Sequence, residues 1–412
     1  MQLWRLLALV VAACIIGPTA QAMTCTPQVK YTAPPVNRCF GGDVLRITAV
    51  GDVLLHSPLQ RRGYSDPNGF RSLWREVEPY FRAADISYAN LEGPVAPGRT
   101  KGFSNATDPG KVFDNRVYSS YPLFNYHPSI ITDLKAAGIT LVSTANNHSL
   151  DRGSSGADLT IANLQAQGLP YFGTIKADAP RDFVTYTSTK MGKLAWIACS
   201  YSTNGVSDPK NQVLMCYGDR EELLGIVATE AARQEVAGVI VTPHWGYEYQ
   251  HSPNANQRQL SKELVAAGAT AVIGTHPHVV QPWEYISRPD GSQSLVIYST
   301  GNFVSGQVGI AKRTGVLAWI ELCRQMPSFD LASAVQSRLG VSRAGWVALS
   351  MTRTASGPEV FVASPASKGV AKQSYDLAAK YLPKDGLTAD LTCTTPDAKP
   401  EGKPVQALVQ LQ

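Results

Sequence analysis

The chain has 412 residues, of which 44% are apolar and 17% charged, enough to bury a large core as one main domain with appendages rather than two equal halves. Its formal net charge of +5 is scattered, with no lysine-rich run or arginine stripe. That pattern excludes nucleic acid as a partner and gives an anionic ligand only weak long-range help.

The first 22 residues read as a secretory signal: Arg5, an apolar run over 6–16, a Gly17-Pro18 break and Ala20-Gln21-Ala22, with cleavage expected after Ala22. The run is too short for a membrane span. A competing reading makes Val11-Ala12-Ala13-Cys14 a lipid-anchoring site, although apolar Ile15-Ile16 continues past that cysteine. Removal of the signal leaves Cys25, Cys39, Cys199, Cys216, Cys323 and Cys393, an even set. Order along the chain suggests Cys25 with Cys39, Cys199 with Cys216 and Cys323 with Cys393, the alternative being buried free thiols. No Cys-x-x-Cys spacing occurs, so cysteine is a poor metal ligand here.

Residues 23–44, with several prolines and no sustained period, read as a pinned N-terminal extension. From Leu45 strands and helices alternate. Strands are predicted at 45–50, 86–89, 139–143, 184–186, 194–199, 239–242, 270–273, 295–299 and 315–321, and helices at 72–81, 129–137, 156–167, 220–235 and 256–267. The segment 97–122, rich in Gly, Ser, Asn and Tyr, lacks a period and suits a substrate-facing loop. The main domain is placed at 45–323. In the extension from 324 to 412 the signal weakens: strands are predicted at 346–352 and 359–363, and a linker-like tail at 394–403.

Five polar clusters follow strand-like runs: Gly51-Asp52, Asn90-Leu91-Glu92, Asn146-Asn147-His148, Pro243-His244-Trp245-Gly246 and Thr275-His276-Pro277-His278. Ligands bind in the crevice at the carboxyl ends of strands in α/β sheets, so these clusters are expected to converge on one metal-centred site. Alone, Gly51-Asp52 reads as a turn and His244 as a hydrogen-bonded structural residue. Asn90 and Glu92, two apart on an extended segment, face one side; either can bridge two ions, and Glu92 carries the charge. Asn147-His148-Ser149 also matches a glycosylation sequon, but one abutting a buried strand is sterically poor. His276 and His278, separated by Pro277, can both address one centre. Imidazole with carboxylate and amide oxygen suits Mn, Fe or Zn better than Ca.

These segments, with Thr144 through Gly153, Pro243-His244-Trp245-Gly246-Tyr247-Glu248-Tyr249, Gly274 through Pro282 and Tyr298-Ser299-Thr300-Gly301-Asn302-Phe303, resemble the CapA family, also called PgsA. These are bacterial capsule and poly-γ-glutamate synthesis proteins, and the match runs in order from about Leu45 to Cys323. The family is itself similar to the calcineurin-like metallophosphoesterases. The resemblance implies an α/β fold, a four-layer α/β/β/α sandwich with N- and C-terminal extensions, where the periodicity alone reaches only α/β.

Carried over by resemblance, Asp52, Glu92 or Asn90, Asn147, His244, His276 and His278 are metal ligands for one or two divalent ions, and His148 faces substrate. The phosphoesterases usually place a histidine two residues after the first aspartate, where this chain has Leu54, and His56 is too far along to substitute directly. The site is then mononuclear or holds a weak second ion. If catalytic, it carries out metal-assisted hydrolysis or acyl transfer, with His148 as general acid, Asp151 orienting it, and Glu248 a further acid or base. Asp151 and Glu248 equally read as exposed loop carboxylates. Two functions stay open: an exported, periplasmic or extracellular hydrolase or transferase acting on an anionic polymer or its precursor, and a binding or assembly factor working with membrane-bound polymer synthesis and export proteins.

Overall fold

Two parallel-cored sheets are set by buried, β-branched runs whose central strands show no exposed face. In the computed structural model, which describes residues 24–30, 36–37, 39, 42–288, 291–325, 338–355, 357–383 and 388–394, eight strands form the larger sheet. These are β2 (Leu45–Leu54), β3 (Ile86–Leu91), β4 (Leu141–Ser143), β5 (Tyr171–Phe172), β12 (Asn302–Ser305), β13 (Thr314–Arg324), β14 (Leu339–Thr354) and β15 (Gly357–Ala363). Their order is β15-β14-β13-β2-β3-β4-β5, with β12 paired to β2. The second sheet runs β10-β11-β9-β8-β7-β6, built from β6 (Thr185–Thr189), β7 (Gly192–Ser200), β8 (Val236–His244), β9 (Ala271–Ile273), β10 (Val280–Ser287) and β11 (Gln293–Thr300).

Ile47, Tyr88 and Leu141 of the first sheet pack against Trp196, Ile240, Ile273 and Ile297 of the second. Helices α1 (Ser57–Ser65), α2 (Glu78–Arg82), α3 (Ser129–Ala137) and α4 (Gly153–Gln167) cover the outer face of the larger sheet through Leu59, Phe81, Ile130 and Leu164. Leu223 and Val227 of α5 (Arg220–Ala232) and Leu260 and Leu264 of α6 (Ala255–Ala266) cover the other. The layers are therefore α/β/β/α. Each fully buried large apolar side chain contributes about 1.5–3 kcal/mol to this packing. The helices also start and stop by local chemistry: Asn254 and Gln257 form a capping box on α6, and Gly138 and Gly168 close α3 and α4 in the left-handed conformation.

Because β2, β3, β4, β8 and β9 run parallel within their sheets, their carboxyl ends deliver the five polar clusters to one edge of the sandwich. Register shifts in the β2–β3 pairing between Ala49 and Asp52 re-aim Asp52. Gly51 is required there, since a Cβ at this position would sit 1.7 Å from the Gly301 carbonyl oxygen.

Several expectations are corrected. The single helix expected over 72–81 is two short 3₁₀ turns, Gly69–Leu73 and Arg75–Val77, followed by α2. Pro79, which lacks an N–H and is tolerated only in a first turn, restarts the helix there. The strand β10 escaped notice because it contains Pro282; it lies at a sheet edge, where proline is allowed. In the C-terminal extension, helix α8 (Gly369–Tyr381) was also missed, as were the short helix α7 (Ile310–Arg313) and the pair β1 (Thr24–Lys30) and β16 (Thr388–Thr394).

Cys199 bonds Cys216 as expected, but Cys39 bonds Cys323, 284 residues away, with Cα atoms 5.6 Å apart. The order-based pairings Cys25–Cys39 and Cys323–Cys393 are therefore wrong. Residue 39 bridges Gln325 beside the end of β13, and the β1–β16 register sets Cys25 opposite Cys393. Spatial proximity, not chain order, selects partners. The signal segment, Cys14 and the tail beyond Thr394 lie outside the described residues. No helix among the described residues is long and apolar enough to cross a membrane.

Candidate metal centre

All seven residues expected to ligate a metal meet at the strand ends, with Glu92 in their midst. Both of its carboxylate oxygens are buried without a hydrogen-bond partner. Oε1 lies 3.7 Å from His244 Nε2 and 3.9 Å from His278 Nε2. Burial, then the nearby charges of Asp52, Glu248 and Asp151, pushes this carboxyl well above the usual range. A buried carboxylate that nothing donates to costs several kcal/mol unless a cation compensates it, on the order of 1–3 or more.

Asn90 is less free than Glu92. Its Nδ2 donates to Asp52 Oδ1 at 2.8 Å and lies 3.3 Å from His244 Nδ1, while Asn146 Nδ2 reaches its Oδ1 at 3.3 Å. The amide thus braces one sheet against the other, and of the two residues left open as bridges, Glu92 is the one with uncommitted oxygens. Tyr126 clamps the same corner: its hydroxyl donates to the Glu92 carbonyl at 2.6 Å and accepts from Leu55 N at 3.2 Å.

The imidazoles stand in a fan, with ring centroids 4.8 Å apart for His244 and His276 and 5.7 Å for His276 and His278. Burial pushes His244 and His276 well below the ordinary histidine value, keeping them neutral, the form that ligates. His244 Nε2 is 2.8 Å from Asn147 Oδ1, and its Nδ1 is 3.0 Å from Thr275 Oγ1. Nδ1 of His276 is buried without a partner. His278 Nδ1 faces two acceptors, Asp52 Oδ2 and Asn302 Oδ1, each at 3.0 Å, so it carries the proton and leaves Nε2 as a lone pair. His276 and His278 hold φ of 96° and 57° on either side of Pro277. Such non-glycine conformations cost of order 1–3 kcal/mol each and cluster at functional sites.

Two sets of ligand atoms, Asp52–Glu92–His278 and Glu248–His276–His278, each lie within 4.8 Å of one another. The residues present therefore fit a cation of the N/O-ligated type.

Beside this set, His148 Nδ1 lies 2.7 Å from Asp151 Oδ2, which also accepts from Phe124 N at 2.6 Å. Asp151 is fully buried, so the exposed-carboxylate alternative does not hold for it; Glu248 is exposed. The next residue, Arg152, was not singled out from the sequence. Its buried guanidinium donates to the carbonyls of Arg99, Val117 and Asp151 and to Ser119 Oγ, stapling the 97–122 loop beside the site. Burial pulls its pKa down to about 10. Leu54 is packed in the apolar layer under the helices. His56 is committed elsewhere: its Nδ1 accepts from Gly306 N at 3.2 Å and its ring stands edge-on to Phe124 at 5.2 Å. Asn302, Asn146, Thr275 and Tyr201, whose ring lies 4.3 Å from that of His276, were given no role of their own; the first three sit inside the quoted motifs, and Tyr201 lies outside all of them.

Comparison with known proteins supplies the family. The sequence model described as "Bacterial capsule synthesis protein PGA_cap" matches residues 46–307. The PGA biosynthesis protein CapA of Bacillus subtilis (strain 168) is 28% identical over 300 residues, 72% of this chain and 70% of that protein. The capsule biosynthesis protein CapA of Bacillus anthracis is 27% identical over 289 residues, 69% of this chain and 65% of that protein. Among solved structures, the NAD nucleotidase of Haemophilus influenzae superposes with a TM-score of 0.44 at 12% identity, covering 83% of this chain and 57% of that one.

Proposed function

The chain belongs to the bacterial capsule synthesis protein family PGA_cap, and from that premise we propose that it is an exported, metal-dependent hydrolase or transferase acting on an anionic capsule polymer of the poly-γ-glutamate type or on its precursor. The observation that carries this reading is Glu92, a fully buried carboxylate with two unpartnered oxygens flanked by His244 and His278, beside the His148–Asp151 pair. Export is supported by two disulfides, which persist in oxidising compartments, together with the N-terminal signal pattern.

Asp52, Glu92, Asn147, His244, His276 and His278 would hold the ion, with Asn90 as their brace. A divalent cation there supplies positive charge that draws in an anionic group and sharpens it as an electrophile. The protein's own groups do the rest. Thr275 Oγ1 and the Asp52–Asn302 pair fix which nitrogen of His244 and His278 faces inward, as outer hydrogen bonds to ligating histidines do. With Nδ1–H donating to Asp151, His148 has Nε2 as its working atom, which takes a proton from an attacking group or, once protonated, hands it to a leaving group.

One observation favours a second reading, a polymer-binding or assembly factor working with membrane-bound synthesis and export proteins: apolar Leu54 fills the position of a ligand in the related phosphoesterases, and His56 does not replace it. Metal analysis of the purified protein, followed by turnover on γ-glutamyl and phosphodiester substrates, separates the two. Metal with turnover supports the enzyme, and metal with binding but no turnover on either substrate supports the assembly factor.

A further inference from the structure

The segment 306–313 crosses the rim of the centre from the side of His148 to that of His278. At one end Gly306 N donates to His56 Nδ1 at 3.2 Å, and the His56 ring stands on Phe124, whose own ring is 4.8 Å from that of His148. At the other end Asn302 Nδ2 donates to the Lys312 carbonyl at 2.9 Å and to Gln307 Oε1 at 3.1 Å, while Asn302 Oδ1 accepts from His278 Nδ1 at 3.0 Å. Thr314 Oγ1 donates to the Ile310 carbonyl at 2.8 Å and closes the single turn of α7. The root of the Lys312 side chain is therefore fixed relative to a candidate ligand.

Lys312 Nζ lies 4.5 Å from the centre of the Tyr249 ring, and that ring lies 6.1 Å from the His278 ring. Tyr249 is itself held, because its N–H donates to the Pro277 carbonyl at 2.8 Å and Gln307 Nε2 donates to its hydroxyl at 3.3 Å. A ring face orients an ammonium without neutralising its charge. Among the described residues no carboxylate pairs with the half-buried Lys312, and Glu248, next to Tyr249, addresses His278 Nε2 at 4.0 Å instead. Lys101, Lys135 and Lys372, by contrast, each end on an oxygen of the protein. The three N–H donors of Lys312 are left to whatever enters the mouth.

We propose that Lys312, seated on Tyr249, is a specificity residue of the mouth, binding an anionic group of the substrate one repeat away from the linkage that meets the metal centre. The inference rests on the proposed action on an anionic polymer. In a γ-linked glutamate chain five backbone bonds separate equivalent atoms, so the repeat spans roughly 6 Å and each linkage has a carboxylate on the next unit. That spacing is of the same order as the step from the His278 ring across Tyr249 to the ammonium. A compact ammonium on a flexible stem suits a carboxylate that arrives in varying orientation. An uncharged chain would displace water from Lys312 without returning a charge, so the mouth discriminates against it.

The test is calorimetric binding of oligo-γ-glutamate, and of the same oligomer with its carboxylates amidated, to full-length protein in the presence of Mn²⁺. Wild type is expected to bind the acid form about 5- to 20-fold more tightly. Lys312→Met should erase most of that preference by weakening the acid form alone, with metal content unchanged, and Lys312→Arg should keep it. Lys190→Met, in the turn before β7 and so at the opposite edge of the sandwich, should leave it intact. An undiminished preference in Lys312→Met, or an equal loss in Lys190→Met, would overturn the subsite, as would a wild type that binds both forms equally; in each case the polymer reading stands. A wild type that binds neither form would overturn both.

Discussion

Nδ1 of His148 lies 2.7 Å from Oδ2 of Asp151, and the same carboxylate oxygen accepts the Phe124 N–H, so the ring's acceptor is itself held in place by backbone just past the 97–122 loop. Replacement of His148 by Ala is expected to leave metal content near wild type while lowering turnover by about a hundredfold to ten-thousandfold, the contribution of a general acid or base. His276→Ala should instead lose metal and stability together. Equal metal loss in both variants would make His148 a ligand, and full polymer production by His148→Ala would end the enzymatic reading.

Glu92 offers a test of sign. Its carboxyl is raised by burial and by neighbouring carboxylates, so in chelator-stripped protein its contribution favours the folded state at low pH and is lost as pH rises through the folded value. Glu92→Gln should therefore stabilise the stripped protein at pH 7 by about 1–3 kcal/mol while abolishing the stabilisation that added metal gives wild type. Denaturant midpoints with and without chelator measure both effects.

His56 is held at a pKa of about 4, chiefly by burial, against an unfolded value of 6.5. Between those values the unfolded chain takes a proton that the folded one refuses, so stability falls as pH drops from 6.5 towards 4, by at most about 3 kcal/mol. His56→Gln should flatten that part of the urea-midpoint profile relative to wild type. An unchanged slope would place the acid sensitivity elsewhere.

The Cys39–Cys323 bond closes 284 residues of chain, and on the chain-entropy model a loop of that size is worth about 5.6 kcal/mol. Peptide mapping without reduction should recover Cys39 joined to Cys323 and Cys199 to Cys216. Loss of the long closure in Cys39→Ser should lower stability by about 2 kcal/mol more than loss of the 17-residue one in Cys199→Ser, after allowing for the free thiol each variant leaves.

Arg152→Met should unpin the 97–122 loop, because it strips several carbonyls of their donor in a buried setting, at a cost of about 2–4 kcal/mol. Limited proteolysis should then cut within 97–122, where wild type resists.

The alternation of apolar runs and the polar residues ending them made the central strands and the candidate ligands legible, because strand ends are where an α/β sheet presents chemistry. The helix Ser129–Ala137 was read to its boundaries, since a clean apolar stripe precedes a glycine stop. What escaped was whatever depends on partners remote in sequence. Pro282 masked an edge strand, Pro79 broke an apparent helix, and the disulfide order failed because Cys39 meets the end of β13 rather than its own neighbours. Arg152 is the plainest case: an arginine in a sequence reads as surface, and only its bonds to Arg99, Val117 and Ser119, 53, 35 and 33 residues away, explain why this one is buried.

The ring of Tyr381, the last residue of α8, lies parallel to that of His251 at 4.1 Å, within 6° of coplanar. The family model's match ends at residue 307, so this contact to the loop carrying Glu248 and His251 comes from beyond it. A relative that keeps every strand-end ligand but carries a different C-terminal segment would hold this loop by other means, or leave it slack. Grafting α8 onto such a relative would therefore change what braces this loop without touching the candidate ligands.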